Sequence, residues 1–230
     1  LVHDLKNPLT SMLASMDLLE AGLTGTERRP MAEALRIARR GGTKLRSLVD
    51  AILDVARLEQ GSVPLALAPV DLRSSVEEAF ELQRPLAEAR RLRLVNEVYA
   101  ELPPALADRD LLSRVLQNLL GNAIGFSPEE GTVRVGAALD GPGALRVTVA
   151  DEGPGIAPES RDRVFERFVT GRGAASGSGL GLTFCRLAVE AQGGRIRVET
   201  APSGGALLAF TLPIAPPSSW LATRGDAPGS

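Results

Sequence analysis

His3 is the one histidine of the chain, and the carboxylate of Asp4 follows it directly. When a hydrogen bond to one ring nitrogen fixes the tautomer of an imidazole, the other nitrogen is left as a nucleophile. Asn7 lies one helical turn after His3, on the same face, and Pro8 lacks the N–H that would continue the helix. A lone histidine is usually an ordinary surface residue. With these neighbours, however, His3 is predicted to be a nucleophile on a kinked helix.

A second group of residues could bind a nucleotide and a metal ion. Asn118 and Asn122 are four apart on a predicted helix, and their amide oxygens suit Mg²⁺, which prefers oxygen ligands. Asp151 ends a predicted strand, where its carboxylate can accept a hydrogen bond from an adenine amino group, and Gly153 and Gly155 let backbone approach the ring. Taken alone, the asparagines could be surface or capping residues and Asp151 part of a turn.

Three alternating glycines, Gly177, Gly179 and Gly181, open a predicted helix that starts at Leu182. The N–H groups of a helix N-terminus bind phosphate well, although a glycine triplet by itself is a weak signal. The small residues at positions 169–176 predict a flexible lid that orders when a ligand binds. The only lysines are Lys6 and Lys44, so the chain contains no Walker A loop.

The elements that position these residues fall into two groups. Before position 61, apolar residues recur at three- and four-residue spacing in two runs, separated by a break at 22–26, which predicts a helical hairpin. The seam of its second helix includes Leu35 and Val49. Each fully buried leucine or methionine contributes roughly 1.5–3 kcal/mol, so a second copy of the hairpin should cover the seam. We therefore predict a homodimeric four-helix bundle.

Beyond position 62 the pattern changes. Asp71 is predicted to cap a helix that runs to about Arg91, and Asp108 to cap the helix that carries the asparagine pair. Strands are predicted at 92–98, 132–135, 145–149, 196–198 and 206–212, the last two forming a hairpin. This mixture indicates an α+β two-layer sandwich. The predicted domains are 1–62 and 63–214, with a disordered tail at 215–230.

Composition excludes several classes of function. The 26 lysines and arginines against 28 acidic residues give a net charge of −2, and aromatic residues make up 3% of the chain, so nucleic-acid binding is not expected. The one cysteine, Cys185, cannot form an internal disulfide, which fits a reducing compartment. The helical pattern is already under way at position 1, so we expect a cytoplasmic fragment, with any membrane anchor upstream.

In this order, the four motifs resemble the H, N, G1 and G2 boxes of two-component sensor histidine kinases. The motifs begin at His3, Asn118, Asp151 and Gly177, and the segment 163–168 resembles the F box of the same family. The resemblance spans residue 2 to about residue 213. It implies a phosphoacceptor hairpin followed by an ATP-binding domain of the fold shared with type II topoisomerases and heat-shock chaperones.

The resemblance also implies roles for individual residues. His3 would be the phosphoacceptor, Asp4 the general base and Asn7 the residue that positions water for dephosphorylation of a response regulator receiver domain. Asn122 would hold Mg²⁺ and Asp151 would read adenine. The remaining nucleotide contacts would be Asn118, Gly153, Gly155, Arg167, Gly177, Gly179, Gly181 and Leu182.

One position departs from the family. Gly125 stands where a basic residue is frequent, and Arg167 or Arg172 could replace that phosphate contact. This departure keeps open a degenerate, dimeric ATP-binding scaffold that docks a regulator without autophosphorylation. A mechanical ATPase of the same fold is a third hypothesis, disfavoured because such an enzyme has no use for the motif around His3.

Overall fold

The computed structural model describes residues 9–17, 28–169, 179–202 and 204–217. The chain forms two compact units, Leu1–Arg57 and Leu58–Ser230. The first is helical and the second combines a sheet with helices, so the predicted fold class is confirmed. The domain boundary after residue 62 stays a prediction. No helix among the described ranges is long and apolar enough to cross a membrane.

The first unit contains helix α1 (residues 9–17) and helix α2 (Arg28–Glu59). The two helices meet where the thioether of Met12 lies 3.5 Å from the position that a Cβ on Gly42 would occupy. Ala34, Leu48 and Val55, at multiples of seven residues, are buried. Within the single chain, Leu35 and Val49 of the predicted seam remain 59% and 44% exposed, because two helices bury only one of the apolar stripes.

The second unit is a two-layer sandwich. Its helices and strands, in chain order, are β1 (Leu67–Val70), α3 (Leu72–Ala89), β2 (Arg93–Val98), β3 (Ala105–Asp108), α4 (Arg109–Phe126), β4 (Thr132–Leu139), β5 (Ala144–Ala150), α5 (Gly181–Ala191), β6 (Ile196–Thr200) and β7 (Ala206–Pro213). The main sheet has the order β2-β4-β5-β7-β6, with β2 and β4 parallel and the other pairs antiparallel. Strands β1 and β3 form a separate antiparallel pair.

Helices α3, α4 and α5 share one layer and pack on the sheet. Burial alternates along β5, so every second side chain of that strand enters the core, as expected for a sheet covered on one face. The apolar core residues of the central strands and of α4 include Leu112, Val115, Leu116, Leu119, Leu120, Ile124, Val133, Val135, Leu145, Val147, Val149, Leu208, Phe210 and Leu212.

The starts of α3 and α4 are fixed by the predicted aspartate caps. The Asp71 carboxylate accepts from the N–H groups of Arg73 and Ser74 at 3.3 and 3.1 Å. Asp108 does more than cap α4, because its Oδ2 also accepts from the N–H of Ala66 at 2.9 Å and its own N–H donates to Gln192. The buried Asp108 therefore connects the start of α4 to the chain before β1 and to the end of α5.

The guanidinium of Arg90 closes the other end of α4. Its Nη1 donates to the carbonyl oxygens of Ile124 and Gly125 at 2.6 and 2.5 Å, and its Nη2 donates to that of Ser127 at 2.8 Å. Carbonyl groups at a helix C-terminus lack partners within the helix, and the helix dipole favours a positive charge there. Arg90 immediately follows α3, so these hydrogen bonds join two helices of the layer.

Arg90→Gln is expected to lower the free energy of unfolding of the second unit by about 1–3 kcal/mol, because hydrogen bonds from a charged donor to three carbonyls are lost. Urea titration followed by circular dichroism measures this change. The matched control is Arg84→Gln, which removes an exposed arginine paired with Glu81 on α3 and should leave the urea midpoint unchanged. Equal shifts in the two variants would contradict the assigned role of Arg90.

Candidate functional site

A polar stripe runs along the face of α4 that turns away from the core. Its members are half-buried and recur at the spacing of one helix face, Ser113, Arg114, Gln117, Asn118, Gly121 and Asn122. The opposite face of α4 supplies buried leucines to the sheet, and this burial fixes the orientation of the stripe. The two asparagines therefore share one accessible face, as their spacing predicts.

The side chain of Asn118 has a defined orientation. Its Nδ2 donates to the carbonyl oxygen of Arg114 at 2.9 Å, one turn earlier in α4. Its Oδ1 lies 2.9 Å from the position that a Cβ on Gly181 would occupy, at the first residue of α5. The glycine at 181 thus leaves room for the amide oxygen beside the start of α5. A larger residue there would have to displace Asn118.

Asp151 is the buried carboxylate of the site, with 5% of its surface exposed. Its Oδ1 accepts from the N–H groups of Gly153 at 2.8 Å and Ala206 at 3.1 Å, while its own N–H donates to the Ala206 carbonyl at 3.0 Å. Burial raises the pKa of Asp151 above its usual range, and the two backbone hydrogen bonds oppose that rise. The backbone and the carboxylate of Asp151 therefore both bond to Ala206, the first residue of β7.

The backbone around Asp151 is packed too tightly for side chains. A Cβ on Gly153 would lie 2.7 Å from the carbonyl oxygen of Phe126 at the end of α4, and Gly155 has a φ of +73°. A Cβ on Gly205 would lie 2.0 Å from the carbonyl oxygen of Asp151. Gly205 lies between the two strands of the predicted hairpin, and the local sequence indicates no further role for it. Its role depends on a contact between positions 54 residues apart, which no local pattern reveals.

Gly205→Ala is expected to lower the free energy of unfolding by about 1–3 kcal/mol, because the new methyl group forces β7 away from Asp151. Gly121→Ala on the polar stripe of α4 is the matched control. Nothing lies within 4 Å of its added Cβ, and alanine in a helix interior should raise the free energy of unfolding by about 0.5–1 kcal/mol. Thermal unfolding compares the two variants. A Gly205→Ala protein as stable as the parent would show that the contact relaxes without cost.

A backbone hydrogen bond joins Phe168 to Gly179, shortly before α5. The Phe168 N–H donates to the Gly179 carbonyl at 2.9 Å, and both residues have positive φ, +64° and +67°. A Cβ on Gly179 would lie 2.5 Å from the Cα of Phe168, so a glycine is required. Helix α5 then begins at Gly181, followed by Leu182. The residue at its N-cap position is Leu180, whose side chain cannot accept a hydrogen bond from the first N–H groups of the helix. The start of α5 therefore suits an anionic ligand.

The other candidates are placed differently. Arg167 forms an ion pair with Glu59, so its guanidinium is engaged by a carboxylate rather than held ready for phosphate alone. Phe165 is buried, as expected for core packing, whereas Phe168 is 39% exposed. His3, Asp4, Asn7 and Gly177 lie outside the described residues, as do the predicted lid from residue 170 onward and the predicted tail from residue 218 onward.

Asn122 is half-buried on the polar stripe, one turn after Asn118. In the described part of the chain, no group of three or more histidine, cysteine, aspartate or glutamate side chains could hold a metal ion. An amide oxygen on an accessible helix face fits a Mg²⁺ ion that takes most of its other ligands from phosphate and water. The donor set of this unit therefore suits a cation that arrives with an anionic ligand.

Comparison with known proteins shows that two segments of the chain match known domain families. Residues 1–61 match the family described as His Kinase A (phospho-acceptor) domain. Residues 107–216, which contain both asparagines, Asp151 and the start of α5, match the family described as Histidine kinase-, DNA gyrase B-, and HSP90-like ATPase.

Individual relatives agree with these matches. The alginate biosynthesis sensor protein KinB of Pseudomonas aeruginosa is 34% identical over 212 residues, which cover 92% of this chain and 36% of KinB. Full-length ShkA in complex with AMPPNP has a TM-score of 0.73 at 33% identity, covering 94% of this chain and 45% of ShkA. The mycobacterial sensor histidine kinase MprB has a TM-score of 0.57 at 31% identity, covering 66% of this chain and 100% of that one. The chain thus spans less than two thirds of the length of KinB and of ShkA.

Proposed function

Because the chain belongs to the sensor histidine kinases of two-component systems, we propose that it binds ATP and transfers the γ-phosphoryl group to His3. From His3 the group passes to an aspartate of a response regulator receiver domain. The observation that carries the proposal is the geometry around Asp151. A buried carboxylate is held by two backbone N–H groups, among glycines whose lack of a side chain lets the backbone pack closely around it.

The nucleotide lies along α4 in this proposal. Asp151 accepts a hydrogen bond from the adenine amino group, and a carboxylate whose charged form is poorly solvated gains from such a donor. Gly153 and Gly155 let backbone lie against the ring. Asn118 faces the triphosphate beside the start of α5, where Gly181 and Leu182 present N–H groups to phosphate. Gly177 and Gly179 follow the lid, and Arg167 would contact phosphate only by leaving its ion pair with Glu59.

Magnesium ion is the cofactor that we propose. Asn122 would supply the protein ligand, and the ion would neutralise charge on the phosphates. Asn122 does not need a second protein ligand nearby, because Mg²⁺ takes its remaining positions from phosphate oxygens and water. The residues of the chain then contribute by holding the triphosphate in line with its acceptor.

The chemical step is a phosphoryl transfer to nitrogen. The free ring nitrogen of His3 forms a bond to the γ-phosphorus while the bond from that phosphorus to the β–γ bridging oxygen breaks. ADP leaves with the electron pair, and Asp4 receives the proton of the imidazolium that forms. In the reverse phase, Asn7 would orient the water that hydrolyses the regulator's phospho-aspartate.

The hairpin supports a homodimer. In the single chain it exposes large apolar side chains on both helices, Leu9, Leu13, Met16, Leu35, Ile37, Val49 and Leu53, each at least 38% exposed. Such a surface is costly in water and is expected to be covered by a second copy of the hairpin. The receiver domain would dock on the same bundle, near His3.

Incubation with γ-labelled ATP and Mg²⁺ tests the proposal. We expect label that is labile in acid and stable in alkali, which is the signature of phosphohistidine, and no label from α-labelled ATP. Addition of a receiver domain should then move the label to that domain. Nucleotide binding without labelling would instead favour the degenerate scaffold, the candidate to which the uncharged Gly125 on the exposed end of α4 points.

A further inference from the structure

Arg114 is a cation of the polar stripe that the motifs do not include. It lies one turn before Asn118 on α4, and its guanidinium carbon stands 4.3 Å from the centre of the Phe184 ring. Phe184 is 3% exposed and follows Gly181 by three residues, so it belongs to the first turn of α5. The guanidinium of Arg114 therefore stands beside the helix start to which Asn118 points its amide oxygen.

Stacking on an aromatic ring leaves a guanidinium able to bind phosphate. The stacking uses the flat face of the group, whereas hydrogen bonds are donated from its edge, in the plane of the group. The ring also fixes that plane, so less side-chain freedom is lost when an anion binds. An arginine held in this way offers a preorganised fork for two phosphate oxygens.

The position of Arg114 along α4 indicates which phosphate it would meet. Gly153, next to Asp151, packs on the carbonyl of Phe126, so the proposed adenine pocket lies at the C-terminal end of the helix. Arg114 lies twelve residues earlier, which corresponds to about 18 Å of helix. Asn122 and Asn118 lie between the two ends. Since the chain of phosphates extends away from adenine, the end of α4 near Arg114 is where the terminal phosphate would arrive.

We propose that Arg114 binds the γ-phosphate and makes the site prefer ATP over ADP. The inference rests on the proposed function for the presence of a nucleotide. It also explains how a site can neutralise the triphosphate although position 125 is a glycine and Arg167 is paired with Glu59. Arg114 is on this view a specificity-determining residue, distinct from the residues that hold adenine and the metal ion.

Calorimetric titration of MgATP and MgADP into the parent protein and Arg114→Gln tests the assignment. We expect the variant to lose roughly tenfold to a hundredfold in affinity for MgATP and less than about threefold for MgADP. Arg114→Lys, which keeps the charge but not the fork, should recover part of the loss. Arg109→Gln is the matched control, because Arg109 lies on the same helix in an exposed ion pair with Glu78.

Two results would overturn the inference. Equal losses for MgATP and MgADP, together with a lower unfolding temperature, would mean that Arg114 only packs α4 on α5. Unchanged preference for MgATP would mean that another group binds the γ-phosphate. A parent protein that binds MgATP tightly but never forms phosphohistidine would refute the proposed function, whereas the comparison of MgATP with MgADP would still decide the role of Arg114.

Discussion

His3→Gln is expected to abolish phosphoryl transfer and to leave nucleotide affinity unchanged. Glutamine is polar and fits a helix, but its amide nitrogen is not a nucleophile, and the chain has no second histidine to take over. The proposed nucleotide site lies in the unit Leu58–Ser230, whereas His3 lies in Leu1–Arg57. Label from γ-labelled ATP should fall to background, while a calorimetric titration with MgATP gives the same dissociation constant as the parent.

Asp4→Asn removes the proposed general base and keeps the proposed nucleophile, so it tests the two roles separately. This variant keeps the imidazole, so label should still appear on His3, but at a rate lower by roughly two to four orders of magnitude, the usual contribution of a positioned general base. Persistent acid-labile label on His3→Gln would refute the assignment of His3. Equal rates for Asp4→Asn and the parent would show that the ring proton leaves by another route.

The helix starts and the central strands of the second unit could be predicted because their signals are local. Asp71 and Asp108 are good caps whatever surrounds them, and the alternation along β5 follows from a sheet covered on one face. The family and the overall fold, which rest on the order of the motifs, are confirmed. The caps and the strand alternation each depend on residues within one turn or one strand.

Strands β1 and β3 were missed for the opposite reason. Each has four residues, and β1 contains Pro69, so neither segment has a strong strand pattern. They are stabilised by pairing with each other, Leu67 with Asp108 and Val70 with Ala105, across a long stretch of chain. Such pairs arise from tertiary structure, which overrides weak local preference.

The same distinction applies to the site. Asn118, Asp151 and Gly153 could be proposed as site residues from motifs, whereas the contact of Gly205 with Asp151 and the stacking of Arg114 on Phe184 join positions far apart in sequence. Arg167 illustrates the converse. Its charge and place in the sequence suggest a phosphate contact, but only the fold brings Glu59 beside it. A pairing partner that lies far away in the sequence is not encoded in the local pattern of a charged residue.

Asp151→Asn is expected to weaken MgATP binding by roughly two to three orders of magnitude, with loss of phosphohistidine as a consequence. The asparagine oxygen can accept the hydrogen bonds that Gly153 and Ala206 now donate to Oδ1. The NH₂ group must then take the place of the second carboxylate oxygen. Two donors, this NH₂ group and the adenine amino group, would face each other in a buried site, where an unsatisfied polar group is costly.

The stability of the Asp151→Asn variant should rise slightly or stay the same, although its affinity for MgATP falls. Burial raises the pKa of Asp151, which means that its charged form is poorly solvated in the folded protein, and a neutral amide avoids that cost. The variant should therefore unfold at the same temperature as the parent or slightly above it. Asp140→Asn, at an exposed position after β4, is the control and should bind MgATP as the parent does.

Measuring both the affinity and the unfolding temperature of Asp151→Asn distinguishes a role of Asp151 in adenine binding from a role in joining β5 to β7. Lower affinity in a protein of unchanged stability can only come from the lost acceptor, because the fold around the two backbone hydrogen bonds is intact. A lower unfolding temperature with unchanged affinity would show instead that Asp151 serves to join β5 to β7 and that adenine recognition lies elsewhere. A carboxylate kept in a place where burial disfavours its charge is explained by a ligand that donates to it, and this pair of measurements tests that explanation directly.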